Sequence, residues 1–253
     1  MQEKPGLDET LELMKDLRQR CEWDAAQTHE SLRPYLIEEA YEVDDAIRSG
    51  NDRLLREELG DLLLQVLFHS VVAEERGAFD FSDVAEGFLH KMKTRHPHLY
   101  EGGERQSWEG MKAKKRDSIV DGLPADLPSL HRAFRLQDRA AGVGFDWPDA
   151  HGPAEKIEEE LAEVRAEVAR GAAPDAHGVP DPLLEEELGD LLFSVVNLCR
   201  KLGVHPSLAL DKANVKFAER FQAVERLARE RGLDVTSAGL EKLDELWDEV
   251  KEQ

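Results

Sequence analysis

The stretch Glu57-Glu58-Leu59-Gly60-Asp61-Leu62-Leu63 decides the fold, because it returns unchanged as Glu186-Glu187-Leu188-Gly189-Asp190-Leu191-Leu192. Each copy sets two acids three residues apart around a glycine, Glu58 with Asp61 and Glu187 with Asp190. The apolar residues around them keep helical time. Leu59, Leu62, Leu63, Val66 and Leu67 recur at the i, i+3, i+4, i+7 spacing of an amphipathic helix, and Leu188, Leu191, Leu192, Val195 and Val196 repeat it. A second acidic phrase precedes each copy, Glu38-Glu39-Ala40-Tyr41-Glu42 and Glu159-Glu160-Leu161-Ala162-Glu163. The chain therefore reads as a helix–loop–helix unit used twice, with further helices behind each pair.

Outward from these phrases the helical reading continues. No sustained alternation of the strand kind occurs, β-branched residues are sparse, and the good helix formers Ala, Leu, Glu and Arg are abundant. The expected class is all-α. Ser49-Gly50-Asn51-Asp52 separates the first acidic helix from the second, and Arg76-Gly77 ends the second. Asp80 or Ser82 can cap the next helix, and Pro97 closes it. The stretch 121–128, with Gly122, Pro124 and Pro128, is the best linker, so the expected domains are residues 1–118 and 129–253 joined by 119–128. Ser129 is expected to cap the helix that follows. A longer insertion, 171–182, parts the acidic helices of the second unit.

Composition narrows the function. The 253 residues are 41% hydrophobic and 34% charged, which suits a helix-rich globule, and the net charge is -21. Proteins that grip nucleic acid neutralise phosphates with Lys and Arg, so this balance argues against that partner. An anionic ligand would need a cation between itself and the protein. Cys21 and Cys199 are the only cysteines and form no CxxC, which points to reduced thiols. No signal pattern opens the chain, and the longest apolar stretch, Leu62 to Ala73, is too short to span a bilayer. A cytoplasmic protein without a membrane partner is expected.

The spacing of the acids carries the chemistry. Residues three apart share a helical face, so Glu39 points with Glu42, and Glu58 with Asp61. Glu160 with Glu163 and Glu187 with Asp190 repeat the arrangement. If each pair of helices packs antiparallel, four carboxylates converge in each unit. Crowded like charges resist ionisation. A hard divalent cation relieves them, and Mg²⁺ takes oxygen ligands while leaving room for phosphates; Mn²⁺ can substitute. One such phrase alone would be a solvated helix face; the duplication in one order argues for metal. Gly60 and Gly189 sit in mid-helix at a cost of about 1 kcal/mol against alanine, which suggests close approach by a facing helix or by a ligand.

Cations and indoles follow in matching order. Lys91 and Arg95 are four apart, as are Lys216 and Arg220, while Trp108 precedes Lys112 by four and Trp247 precedes Lys251 by four. Lys and Arg suit phosphates, and Trp suits a base. Taken singly, such cations form exposed basic faces and such indoles fill cores. His96-Pro97-His98 has no counterpart in the second unit and reads as a loop, and Trp23-Asp24 and Phe145-Asp146-Trp147 read as packing against the acidic helices.

With these phrases, and with Val143-Gly144-Phe145-Asp146-Trp147 and Lys212-Ala213-Asn214-Val215-Lys216-Phe217, nearly the whole chain resembles the MazG family of nucleoside triphosphate pyrophosphohydrolases in its two-domain form. The resemblance implies two tandem MazG-like helical domains, a helical bundle completed by homodimerisation, and Mg²⁺-dependent hydrolysis of a nucleoside triphosphate to monophosphate and pyrophosphate. It implies metal ligands at Glu160, Glu163, Glu187 and Asp190, and nucleotide contacts at Lys216, Arg220, Trp247 and Lys251. The matching first-unit positions are Glu39, Glu42, Glu58 and Asp61, then Lys91, Arg95, Trp108 and Lys112. Glu38 and Glu159, beside the ligands but turned about 100° around the helix, are candidates to take a proton from water, or simply helix-surface acids. Two other readings were open. A di-iron bundle needs ExxH, which no acidic phrase supplies. An acidic scaffold that binds a protein, with one or both sites inactive, is the non-enzymatic alternative. Phe68, standing where the second unit has Asn197, marks the first unit as different and favours the second as the main catalytic one.

Overall fold

A computed structural model describes residues 6–100, 102 and 117–252, and among them there are helices and turns but no strand. The chain divides into two compact units, Met1–Arg105 and Gln106–Gln253.

In the first unit, α1 (Leu7–Arg20) and the short α2 (Glu22–Ala26) lead into the acidic pair α3 (His29–Ser49) and α4 (Asp52–Glu75), followed by α5 (Phe81–Arg95) and α6 (Pro97–Tyr100). The boundaries have local causes. Thr28 accepts from the Ser31 amide while the Ser31 hydroxyl accepts from the Thr28 amide, a capping box that starts α3. Gly50 ends α3 at φ 64°, a left-handed position that suits glycine. Asn51 then caps α4 through the amides of Arg53 and Leu54. This two-residue reversal folds α3 back along α4, as the short turn predicted. Asp80, of the two candidates, caps α5, in a box with Asp83.

The core of this unit gathers Met14, Leu32, Leu67, Phe68, Val71 and Val72, so it lies where the second half of α4 meets α1 and the start of α3. The Arg18 guanidinium lies over Phe68, 5.7 Å from the ring centroid, and pairs with Glu75. The acids are on the other stretch of the hairpin, where Leu36, Ile37, Tyr41, Leu59 and Leu63 are exposed. An apolar stripe at helical spacing is thus split between a buried part and an open part.

The second unit contains α7 (Ser129–Gly142), the acidic pair α8 (His151–Arg170) and α9 (Pro182–Lys201), and the hairpin α10 (Pro206–Glu230) and α11 (Leu240–Glu252). Ser129 is the first residue of α7 rather than its cap: Pro128 holds that position, its carbonyl accepts from the Arg132 amide, and no side chain caps the helix. Gly171, at φ 90°, ends α8, and Asp181 caps α9 ahead of Pro182. The stretch before α7 is fastened to it. Arg139, buried, donates to the carbonyls of Ile119 and Asp121 at 2.8 and 2.9 Å. The α10–α11 hairpin has its own small core of Val224, Ala228 and Leu246, onto which Leu227, Leu243 and Trp247 pack.

Among the described residues, Gly60 and Gly189 do not serve close packing. A Cβ built on either meets no atom within 4 Å. Gly60→Ala and Gly189→Ala are therefore expected to stabilise the isolated chain by about 1 kcal/mol each, read from urea midpoints. A net loss would mean that another surface closes on that face in solution.

Candidate metal and nucleotide site

The α3–α4 and α8–α9 hairpins do bring acids together. In the first unit, oxygens of Glu39, Glu58 and Asp61 lie within 4.8 Å of one another, and in the second, oxygens of Glu160, Glu163 and Glu187 do so. The fourth acid of each set is adjacent. Glu42 is close enough to Glu39 to raise it, and Asp190 shares a cleft wall with Glu160. Glu38 and Glu159 stand outside both close groups and are exposed.

The crowding is felt in the acidities. Burial, followed by the charges of Asp61 and Glu42, pushes Glu39 above the ordinary carboxylate range. Glu58 is pushed up by desolvation and then by Glu42 and Asp61. Glu163 is raised by desolvation, by its hydrogen bond with Glu160 and by the charges of Glu160 and Glu187, with Lys156 opposing. The closest three acids differ between the units: Asp61 belongs to the first group, whereas its counterpart Asp190 is replaced by Glu163 in the second.

Lys156 is a functional candidate that the sequence reading passed over. Its ammonium lies 2.8 Å from Glu159 and 2.5 Å from Glu160, and Glu160 is only 3% exposed. Those two hydrogen bonds raise the lysine, Glu159 first. The signal was present as a Lys three and four residues before two acids on one helix. Four residues before Glu39, the first unit has Tyr35 instead.

Beside the second-unit acids is a cleft of about 520 Å³. Lys156, Glu160 and Asp190 belong to its wall, as do the rings of Phe145, Trp147 and Phe193. Gln137, Ser194 and Asn197 supply polar atoms. The loop carrying two of these rings is pinned to the end of α9. Arg200 donates to both carboxylate oxygens of Asp146, and Lys201 donates to Asp146 at 3.2 Å and to the Trp147 carbonyl at 2.6 Å. Burial works against the Asp146 charge, but the bonds from Arg200 and Lys201 win and hold it below its usual range.

The first unit has no such construction at the corresponding place. Counted from the repeated heptapeptide, Phe68, Val71 and Val72 replace Asn197, Arg200 and Lys201, and all three are in the apolar core. Trp23 packs edge-on against Tyr35 of α3, with ring centroids 6.2 Å apart.

The expected nucleotide contacts are placed less decisively. Lys216 is exposed and Arg220 half-buried on α10. Trp247 lies 5.3 Å from the Phe217 ring, and Lys251 pairs with Asp248 at 2.8 Å, so both find partners within the α10–α11 hairpin. Lys91 is exposed and Arg95 half-buried on α5. Trp108 and Lys112 lie outside the described residues.

Comparison with known proteins gives a consistent answer. A family model described as the MazG nucleotide pyrophosphohydrolase domain matches twice, at residues 27–100 and 152–225. The chain is 46% identical to the nucleoside triphosphate pyrophosphohydrolase/pyrophosphatase MazG of Thermotoga maritima, over 96% of this chain and 95% of that protein. It is 41% identical to a nucleoside triphosphate pyrophosphohydrolase of Escherichia coli K12, over 98% of this chain and 97% of that one. A Bacillus subtilis protein, YabN, is 40% identical over 92% of this chain, which matches 48% of YabN. Each family match begins at an acidic hairpin and runs on into the helices that follow it.

Proposed function

The chain belongs to the MazG nucleotide pyrophosphohydrolase family, and on that premise we propose that it hydrolyses nucleoside and deoxynucleoside triphosphates to monophosphates and pyrophosphate, using Mg²⁺, with Mn²⁺ as a substitute. The observation that carries this reading is the close carboxylate group of Glu160, Glu163 and Glu187 standing beside a cleft that Asp190 and Lys156 also line. Those four acids hold the metal. Their chemistry fits a hard cation: oxygen donors only, crowded enough that Glu163 resists ionisation without one. When bound, the cation supplies neutralisation of the phosphates and a more acidic water.

The chain's own groups do the rest. Lys156 holds Glu159 and Glu160 in place and brings positive charge to a wall that would otherwise repel a triphosphate. Glu159, next to Glu160 on α8, would be the group that accepts the proton of the attacking water, and Glu38 its counterpart in the first unit. Lys216, Arg220, Trp247 and Lys251 contact the nucleotide from the α10–α11 hairpin.

The second unit carries the principal site. The first retains Glu39, Glu42, Glu58 and Asp61 as a metal group, with Lys91, Arg95, Trp108 and Lys112 as the matching contacts. Its solid core at Phe68, Val71 and Val72 favours an architectural part for it. The exposed Leu36, Tyr41, Leu59 and Leu63, and likewise Leu188 and Leu192, suit burial against a second copy, so the working form is a homodimer. No described helix is long and apolar enough to cross a membrane. The reaction belongs in the cytoplasm, where it cleanses or controls nucleotide pools. A panel of nucleotides with Mg²⁺, analysed for monophosphate plus pyrophosphate against diphosphate plus phosphate, tests the reading. Diphosphate as the product, or no turnover of any triphosphate, rejects it.

A further inference from the structure

Resting on that nucleotide chemistry, we propose that the second-unit cleft is a nucleobase subsite in which Gln137 and Asn197 read the base edge as a fixed acceptor and donor. Both amides are nearly removed from water, Gln137 at 6% exposure and Asn197 at 7%. The orientation of each is dictated by its partner. A backbone carbonyl can only accept, so the 2.8 Å contact with the Phe193 carbonyl must use the nitrogen of Gln137. Its Oε1 is then left buried with no partner. A guanidinium can only donate, so the 3.1 and 2.8 Å contacts with Arg200 must use the oxygen of Asn197. That leaves the Asn197 NH₂ group for a ligand. Arg200 is itself held by Asp146, so the donor is set by a chain of charged contacts.

An unpaired buried carbonyl is a standing penalty that a ligand donor removes. Ionised phosphate oxygens offer no such donor near neutral pH. A nucleobase does, since its edge carries adjacent donor and acceptor groups on a flat, stackable ring. The aromatic lining fits that ring. Phe145 is 82% exposed and Phe193 44%, so their faces are open to stacking. Trp147 is seated by Gly152: a Cβ there would come within 2.1 Å of the indole Cδ1. The cleft volume lies within the roughly 300–1,000 Å³ of small-ligand sites. In the first unit Phe68 takes the place of Asn197 and belongs to the apolar core with Met14.

The test compares substrates with and without a base. In the full chain with Mg²⁺, kcat/KM is measured for a nucleoside triphosphate and for ribose 5-triphosphate, and their ratio is the preference. Asn197→Asp keeps an oxygen for Arg200 but loses the donor, and Gln137→Met loses the acceptor. Each is expected to lower the preference roughly tenfold to a hundredfold. A wild-type preference near one, or a preference unchanged in the folded variants, overturns the proposal. Calorimetric titration of wild-type protein with a nucleoside monophosphate and with ribose 5-phosphate reads the subsite separately from turnover. Tighter binding of the nucleotide by tenfold or more supports it even if no triphosphate is cleaved, and equal binding sinks it.

Discussion

Glu187→Gln is expected to slow pyrophosphate release by on the order of 10²–10³-fold or more while the helical circular dichroism of the chain survives. The amide keeps the shape of the side chain and withdraws one charge from a group of three carboxylates within 4.8 Å. It also relieves a neighbour. The Glu187 charge is one of the causes that raise Glu163, so removing it makes the metal-free fold more stable, not less. Lower activity with a higher melting temperature in the absence of metal is a signature that misfolding cannot produce. Asp190→Asn is expected to act in the same direction through the cleft wall. Glu58→Gln, the matching change in the first unit, is expected to cost far less turnover. Equal losses from Glu58→Gln and Glu187→Gln would show that the first unit shares the reaction.

Millimolar Mg²⁺ is expected to raise the melting temperature, and the rise is expected to grow with pH. A ligand at about 100 times its dissociation constant adds about 2.7 kcal/mol to the folded state per site, or roughly 5–10 °C for a chain of this size. The pH dependence follows from the acids. Glu39, Glu58 and Glu163 are held above their ordinary value of 4.5 in the fold. The folded state therefore binds protons more tightly than the unfolded chain at these groups. The stability they contribute is complete below the unfolded value and is lost as pH rises through the raised values. Metal needs the ionised forms, so its benefit appears over that same window. A melting shift that is flat from pH 4.5 to 8, or absent at millimolar Mg²⁺, would count against both carboxylate groups.

Much of this was legible in the linear chain, for reasons that differ residue by residue. The heptapeptide and the acidic phrases announced paired helices because three-residue spacing has meaning only on a helix. Asn51 and Gly50 announced the reversal because capping and left-handed backbone are local matters. Ser129 misled for the same reason: it is a good cap, but Pro128 already occupies the position. The cleft was not legible. Gln137, Phe145, Asn197 and Arg200 come from α7, a loop and α9, and only packing tells which of them meet. Lys156 was hidden among the many cations and anions of α8, where one more ion pair carries no signal. Trp247 shows the limit from the other side. Its spacing to Lys251 suggested a stacking surface, but helical spacing alone could not show that Phe217 packs against the same ring.

The halves of this duplicated chain differ inside, and that difference has a bearing on durability. Where one interior is filled by Phe68 and its aliphatic neighbours, the corresponding place in the other keeps a hollow lined by Asn197 and Gln137. A hollow forfeits dispersion contacts along its lining, so amide hydrogens of α7 and of residues 144–147 should exchange sooner than those in the second half of α4. Occupancy by substrate closes that gap. A cell short of nucleotides would then expose the second unit to its proteases first, and the pool itself would govern how long the enzyme persists.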